Sequence, residues 1–355
     1  MKQTIKPDNE NNSEPKKPES VNYHFTRLCN YKCGFCFHTQ KTSFILPLER
    51  AIHGLKLLKE AGTRKINFAG GEPFTKANFL GELIKQCKEN IKIEKVSVIT
   101  NGSLVKRSFF EKFGKYIDVF GVSCDSFDAE TNKKIGRGTK GDNVKKLFEI
   151  RELCKEYNIK FKLNTVVCSY NKDENMVENI KKLDPYRWKV FQVLLVKGEN
   201  EGGDKLRDVT KFQITNEEFE QFKKRHEELR CMVAESNDNM KSSYLILDEY
   251  MRFLDKGDGE EIHSESILDV GVEKALEVIH YDENEFIKRK GDYLFNDRDP
   301  CLKCEVKNGL KKKTINPTAR PIIAAHFIIP KIRSQIQVGN LLLSGKSFSK
   351  SETKS

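Results

Sequence analysis

From Val21 onward, short apolar runs alternate with longer amphipathic segments. Runs rich in β-branched and aromatic residues predict strands, and apolar positions three and four residues apart predict helices. The predicted strands are 21–26, 65–68, 95–100, 117–123, 160–167, 189–196 and 243–247. The predicted helices are 47–61, 77–90, 105–114, 142–157, 173–183 and 216–229. This alternation is typical of β-α-β units, so we predict a parallel sheet in an α/β fold.

The same pattern divides the chain into four segments. Residues 1–20 are polar and lack apolar periodicity, which predicts a disordered segment. Residues 21–230 hold six β-α units, which predict a partial (β/α)6 barrel, similar to a TIM barrel, with its chemistry at the carboxyl ends of the strands. Residues 231–295 add a strand and a helix near 271–280, read as a C-terminal extension. Residues 296–355 read as a divergent basic tail that is poorly ordered.

Charge and composition narrow the class of protein. The net charge is +11, but residues 305–355 carry ten Lys or Arg against two acidic residues, so the rest of the chain is nearly neutral. Without a basic stripe and interleaved aromatics, we predict no nucleic-acid partner. No run approaches the roughly 20 apolar residues of a transmembrane helix. Ten cysteines without paired spacing indicate a reducing compartment rather than a disulfide framework.

Three cysteines follow the first predicted strand, in the run Cys29-Asn-Tyr-Lys-Cys33-Gly-Phe-Cys36. One interpretation is a zinc site, for which His38 is a candidate fourth ligand. The other is a [4Fe–4S] cluster, whose usual ligands are four thiolates. Three thiolates without a fourth would leave one iron open to a substrate.

A second motif, Gly70-Gly71-Glu72-Pro73, follows the predicted strand 65–68. Glycines expose backbone groups and allow a ligand to approach closely. A plain strand-to-helix turn closed by proline is the alternative interpretation of this motif.

Together the two motifs resemble those of the radical S-adenosylmethionine (SAM) superfamily. The resemblance implies that Cys29, Cys33 and Cys36 hold the cluster and that SAM binds its open iron. One electron then cleaves SAM to methionine and a 5′-deoxyadenosyl radical. The residues that the resemblance places at SAM are Phe35, Gly70, Gly71, Glu72, Ser123 and Arg137, and for Arg137 a contact with nucleotide phosphates remains an alternative.

A narrower resemblance is to the viperin family of antiviral radical SAM enzymes. It rests on residues 22–39, 65–68, 123–128, 135–138, 187–192 and 243–253, and it extends from about residue 21 to about residue 293. It implies that CTP is dehydrated to 3′-deoxy-3′,4′-didehydro-CTP, which terminates viral RNA chains, while some microbial relatives prefer UTP or GTP. It also implies that the radical removes the hydrogen at the ribose C4′, after which the 3′-hydroxyl leaves as water.

The nucleotide site is predicted from cations placed inside strands. A triphosphate needs several fixed cations, and strand interiors rarely hold cations without a partner. The predicted cations are Lys65, Lys162, Arg187 and Lys189, ringing one barrel mouth. The family resemblance implies that the amides of Asn22 and Asn164 also contact the nucleotide. Tyr244 resembles a family tyrosine that supplies a proton or a hydrogen atom. Outward, solvated side chains and a core tyrosine are the alternative interpretations.

The chain also departs from the family pattern. Its first twenty residues lack the amphipathic membrane helix of vertebrate relatives, so we expect a cytoplasmic protein with endoplasmic reticulum association only a minor alternative. Near Glu261 the family has a phosphate-contacting lysine, for which Lys256 is a candidate substitute. The terminal tryptophan that recruits the cytosolic iron–sulfur assembly machinery is absent. Cys301 and Cys304 lack the other two ligands of a zinc site.

Two other hypotheses stay open. The first is a radical SAM enzyme that modifies a peptide or RNA, which would need auxiliary cysteine clusters. The second is a scaffold whose barrel is inactive and whose basic tail binds a partner. An enzyme of this type also needs an electron donor, which the sequence does not identify.

Overall fold

The computed structural model describes residues 16–138, 143–240, 242–255, 262–292 and 294, and ten strands within these ranges form one sheet. The strands are β1 (Ser20–His24), β2 (Lys65–Ala69), β3 (Lys95–Thr100), β4 (Val119–Ser123), β5 (Lys160–Val167), β6 (Arg187–Gln192), β7 (Met232–Glu235), β8 (Leu245–Leu247), β9 (Arg252–Asp255) and β10 (Ile262–Ser266). Their order across the sheet is β10-β9-β8-β1-β2-β3-β4-β5-β6-β7.

The central eight strands run parallel. Strands β1 to β7 pair in chain order, and β8 returns to pair with the free edge of β1. Strands β9 and β10 are antiparallel additions beyond β8. Side chains from strands as far apart as β1 and β6 line one cavity, so the sheet curves into a partial barrel. The predicted α/β fold with a parallel sheet is therefore confirmed.

Eleven helices are found in the part of the chain that the structure describes. They are α1 (Leu48–Glu60), α2 (Ala77–Gln86), α3 (Arg107–Phe113), α4 (Ala129–Ile135), α5 (Asn143–Glu156), α6 (Val177–Leu183), α7 (Asn216–Arg225), α8 (Asn237–Met240), α9 (Ile267–Val270), α10 (Val272–Glu277) and α11 (Glu283–Lys288). Helix α2 continues as a π-helical turn, Cys87–Ile91. Apolar faces such as Ala51, Leu55 and Leu58 of α1 are buried in the core.

Several predicted elements are shorter in the structure, and side-chain amides explain two of these differences. The predicted strand 189–196 ends at Gln192, because Asn200 binds the backbone of Leu194 and Val196 and holds that segment in a loop. The predicted helix 173–183 begins only at Val177. Before it, Asn171 bonds Asp125 O and Val166 O and fixes a turn.

The segment boundaries stay predictions, but several contacts bear on them. Lys16 donates to Ile279 O at 2.7 Å and Glu19 pairs with Arg64, so ordered contacts start before Val21. Residues 231–295, predicted as an extension, contribute β7 to β10 to the same sheet. Lys256, Glu261, Cys301, Cys304 and residues 296–355 lie outside the described residues. No helix in the described ranges is long and apolar enough to cross a membrane.

Candidate active site

One cavity of about 610 Å³ brings the predicted site residues together. All of them except Glu72 line it, namely Asn22, Cys29, Cys33, Phe35, Cys36, Lys65, Gly70, Gly71, Ser123, Arg137, Lys162, Asn164, Arg187, Lys189 and Tyr244. The two motifs and the strand cations therefore belong to a single site.

The cysteines lie in the loop after β1, and the end of helix α4 holds this loop. Gly34 N donates to Ile135 O at 3.0 Å, and Lys32 N donates to Gly136 O at 3.2 Å. Gly136 has a φ of +92°, and a Cβ there would lie 2.4 Å from Lys32 O. Only glycine fits this turn without strain, since it tolerates the left-handed region and leaves room for the loop. The Ile135-Gly136 pair thus shapes the loop that carries the thiols.

The three thiols suit an iron–sulfur cluster. Burial is the largest cause that raises the pKa of Cys29 to about 11 and that of Cys33 to about 12, and all three cysteines line one cavity. Among the described residues, no group of three or more His, Cys, Asp or Glu converges on a single metal ion, so the zinc interpretation with His38 gains no support. A cubane instead distributes its thiolate ligands over separate irons.

The two glycines of the second motif lie against the start of the cysteine loop. Gly71 N donates to Thr26 O at 2.7 Å. A Cβ on Gly70 would lie 2.4 Å from Thr26 O, and one on Gly71 would lie 2.4 Å from Leu28 O. These contacts exclude larger residues and fix the backbone beside the cysteines.

Glu72 is buried away from the cavity and ties this loop to strand β3. Its carboxylate accepts hydrogen bonds from Thr100 Oγ1 at 2.6 Å, Asn101 N at 2.7 Å and Phe74 N at 3.0 Å. Burial raises its pKa, although these hydrogen bonds favour the charged form. The carboxylate of Glu72 therefore positions this loop, and the predicted place of Glu72 at SAM stays a prediction.

Arg137 lies on the cysteine side of the cavity. Its Nε donates to Asp125, and its guanidinium lies 6.0 Å from the Phe35 ring centroid. Burial opposes its charge, but Asp125 and Cys33 raise its pKa. Ser123, at the end of β4, lines the same region. Arg137 is thus placed among the residues predicted to bind SAM.

The cations lie deeper in the barrel than predicted. Lys65 and Arg187 are the first residues of β2 and β6, and Lys162 pairs with Arg187 across the sheet. Lys189 lies two residues further along β6, about 6 to 7 Å. The set therefore extends from the level of Ser123 toward the amino ends of the strands. The prediction that these side chains ring one mouth of the barrel is corrected on this point.

Burial and mutual repulsion dominate the electrostatics of this cation set. Burial, followed by Arg187 and Arg289, lowers the pKa of Lys162 to about 7. Burial and the neighbouring cations also hold the pKa values of Lys65 and Lys189 well below their usual range. Concentrated buried positive charge is costly unless an anion binds. The arrangement therefore favours a ligand with several negative charges.

Two residues that the sequence did not reveal complete this end of the site. Arg289, after helix α11, donates to Ser243 O and covers the Tyr244 ring at 3.7 Å. Glu235, at the end of β7, accepts a hydrogen bond from Tyr244 and contacts Lys189 Nζ. A basic residue at a helix end is common, so Arg289 carried no distinguishing signal.

The two predicted amides differ in their contacts. Asn22 Nδ2 donates to Leu245 O at 3.3 Å, which links β1 to β8. Asn164 Oδ1 is buried at the cavity wall and has no hydrogen-bond partner within the described part of the chain. Buried polar atoms normally have a partner, so Asn164 fits a ligand that donates a hydrogen bond.

Comparison with known proteins agrees with this geometry. Residues 23–183 match the model of the Radical SAM superfamily. The chain is 53% identical over 288 residues to the S-adenosylmethionine-dependent nucleotide dehydratase RSAD2 of Danio rerio, covering 80% of each chain. It is 35% identical over 283 residues to an S-adenosylmethionine-dependent nucleotide dehydratase of Flammeovirga pacifica, covering 77% of this chain and 95% of the relative.

A solved structure shows the same fold at lower identity. Native anSMEcpe with bound AdoMet and Cp18Cys peptide superposes with a TM-score of 0.58 at 20% identity, covering 81% of this chain and 86% of the other. Superfamily membership implies a [4Fe–4S] cluster and SAM as cofactors, and the three converging thiols fit that cluster. The chain belongs to the radical SAM superfamily and, within it, to the RSAD2 or viperin family of nucleotide dehydratases.

Proposed function

We propose that this protein dehydrates a nucleoside triphosphate, with CTP as the favoured substrate and 3′-deoxy-3′,4′-didehydro-CTP as the product. The observation that carries the proposal is one cavity with three thiols at one end and a set of buried cations at the other. The family relatives are named nucleotide dehydratases, and the choice of CTP rests on the viperin resemblance. UTP and GTP are the alternative substrates.

The proposed role of each residue follows from its place in the cavity. The cluster and SAM supply the radical chemistry that removes the ribose C4′ hydrogen. Lys162, Arg187 and Lys189 bind the phosphates, and the planar guanidinium of Arg187 suits a bidentate contact. Asn164 Oδ1 accepts a hydrogen bond from the nucleotide, and the depth of the cation set holds the sugar toward the thiols. Tyr244 stands beside the cations, where it meets the departing 3′-hydroxyl.

The function is tested with anaerobically reconstituted protein, SAM, dithionite and each of the four NTPs. We expect CTP to stimulate 5′-deoxyadenosine formation strongly, while CMP and cytidine have little effect because they lack the triphosphate. Deuterium placed at C4′ of CTP should appear in 5′-deoxyadenosine. The proposal of a CTP dehydratase fails if that deuterium never appears there, or if another NTP is turned over far better than CTP.

Three further statements about the protein remain proposals. An external electron donor must reduce the cluster, and its identity is open. Delivery of the cluster by the cytosolic iron–sulfur assembly machinery is a second proposal. A cytoplasmic location is the third.

Nucleotide affinity should depend on pH through Lys162, whose pKa is lowered to about 7. Above that pH the free protein holds Lys162 largely neutral, whereas a bound triphosphate favours its charged form. Binding then takes up a proton, so affinity should fall as pH rises from 7 to 9, by up to about tenfold per pH unit for each proton. The second ionisation of a phosphate group has a pKa of about 6, so the triphosphate is already ionised between pH 7 and 9.

Isothermal titration of CTP in buffers of different ionisation enthalpy measures this proton uptake. Lys65 adds to it, because burial and the neighbouring cations also lower its pKa. Lys162→Arg is the matched variant, and it should reduce both the proton uptake and the pH dependence. Affinity that is constant from pH 7 to 9 would contradict the prediction.

A further inference from the structure

Glu235 is a buried carboxylate set among the cations behind the cavity wall. It is the last residue of β7 and is 1% exposed. Its Oε2 accepts a hydrogen bond from Tyr244 at 2.6 Å. Its Oε1 contacts Lys189 Nζ and lies 3.9 Å from Arg289. Glu235 itself does not line the cavity, while Tyr244, Lys189 and Arg289 do.

The direction of the tyrosine hydrogen bond has a chemical consequence. Because Tyr244 donates to Glu235, the carboxylate fixes the position of the hydroxyl hydrogen. The guanidinium of Arg289 lies 3.7 Å from the centroid of the Tyr244 ring and fixes the ring from its face. The orientation of the hydroxyl is therefore set by the carboxylate behind it and by the guanidinium over the ring.

The same carboxylate determines where Lys189 stands. Lys189 is 3% exposed, and the other charges acting on it are the cations Arg289, Arg187, Lys162 and Lys65. An ammonium among like charges moves away from them unless an anion holds it. Glu235 supplies that anion from the side opposite the cavity, so one group fixes a phosphate-binding cation and a tyrosine at once.

We propose that Glu235 is a positioning residue for nucleotide dehydration, acting through the hydroxyl of Tyr244 and the ammonium of Lys189. The inference rests on the proposed function. It predicts that loss of the carboxylate affects the step after nucleotide binding more than binding itself. Removing a negative charge next to the phosphate site does not weaken triphosphate binding by charge, whereas a misoriented Tyr244 slows loss of the 3′-hydroxyl.

The test compares Glu235→Gln, Tyr244→Phe and the double variant with the wild type. For Glu235→Gln we expect several-fold fewer dehydrated nucleotides per 5′-deoxyadenosine, with a smaller change in the Kd for CTP. The double variant should resemble Tyr244→Phe alone, because interacting residues give non-additive effects. Glu235→Asp keeps the charge and should restore part of the yield. Glu156→Gln, in an exposed ion pair with Arg107, is the matched control and should behave as wild type.

Measuring nucleotide binding alongside yield distinguishes a failure of this inference from a failure of the proposed function. The same double-mutant cycle is measured on the Kd for CTP, with iron content and melting temperature as checks on each variant. If the wild type dehydrates no nucleotide, the proposed function fails, whereas a wild type that dehydrates nucleotide beside a Glu235→Gln variant of equal yield overturns this inference alone. The inference is overturned if effects of the two substitutions add in both yield and Kd, or if Glu235→Gln matches the wild type.

Discussion

Replacing Cys33 with alanine is expected to abolish both iron binding and SAM cleavage. Cys33 is buried, and its neighbours Cys29 and Cys36 lie in the same loop, so the cluster would lose one of its three protein ligands. Reconstituted wild-type protein should hold about four irons per chain, the stoichiometry of the cubane. Iron analysis, the visible absorption of the cluster and 5′-deoxyadenosine formation measure the result.

The matched control is Cys154→Ala. Cys154 is a buried cysteine of helix α5 that packs in the hydrophobic core and does not line the cavity. This variant should keep its iron and its SAM cleavage, although it loses some stability from the small cavity that it creates. A Cys33→Ala protein that still makes 5′-deoxyadenosine would refute the cluster assignment. If the Cys33→Ala variant also kept its full biological effect, the result would support the scaffold hypothesis.

The parallel part of the fold was predictable because strands such as β2 and β4 are buried along almost their whole length. Residues 119–123 form a nearly continuous apolar run, and residues 65–69 are all buried although Lys65 and Asn67 are polar. Strand β7 was missed because its four residues are mostly half-buried and carry no clear period. Strands β9 and β10 have four and five residues and mix polar with apolar positions, so tertiary pairing decides them.

The site was predictable where its residues are close in sequence. The cysteine run and the glycine run are each recognisable from a few adjacent residues, and in the structure both lie at one cavity. Glu235 and Arg289 come together only through folding, because Glu235 ends β7 and Arg289 follows α11. No local pattern pairs them. Acidic and basic residues at such positions are ordinarily solvated, so only the structure reveals their burial.

The contacts of Glu72 could not be predicted from its motif. The sequence resemblance assigns Gly70, Gly71 and Glu72 to SAM, and the structure adds that the Glu72 carboxylate accepts hydrogen bonds from Thr100 and Asn101. The two glycines keep the backbone near the cysteines, and the glutamate anchors that backbone to β3. These contacts join residues almost thirty positions apart in the chain, so no local pattern reveals them.

Replacing Lys189 with alanine is expected to weaken the use of CTP by about one to two orders of magnitude. Charge-assisted contacts to phosphate are worth roughly 1.5–3 kcal/mol each, which corresponds to about 10- to 100-fold. The buried carboxylate of Glu235 would also lose its lysine partner and face the triphosphate directly. SAM cleavage without nucleotide should barely change, because the thiol end of the cavity is untouched. Kd and kcat/KM for CTP measure the effect.

Two other substitutions decide whether this loss reflects phosphate binding. Lys95→Ala removes a half-buried lysine of β3 that pairs with Asp118 and does not line the cavity, and it should leave CTP use unchanged. Arg187→Lys should be harmful even though it keeps the charge, because the planar fork that grips two phosphate oxygens is lost. Equal losses in Lys95→Ala and Lys189→Ala would indicate a general electrostatic or stability effect. We would then conclude that the buried cations do not form the phosphate site. The two lysines differ in that Lys189 is buried at the cavity wall, whereas Lys95 does not line the cavity.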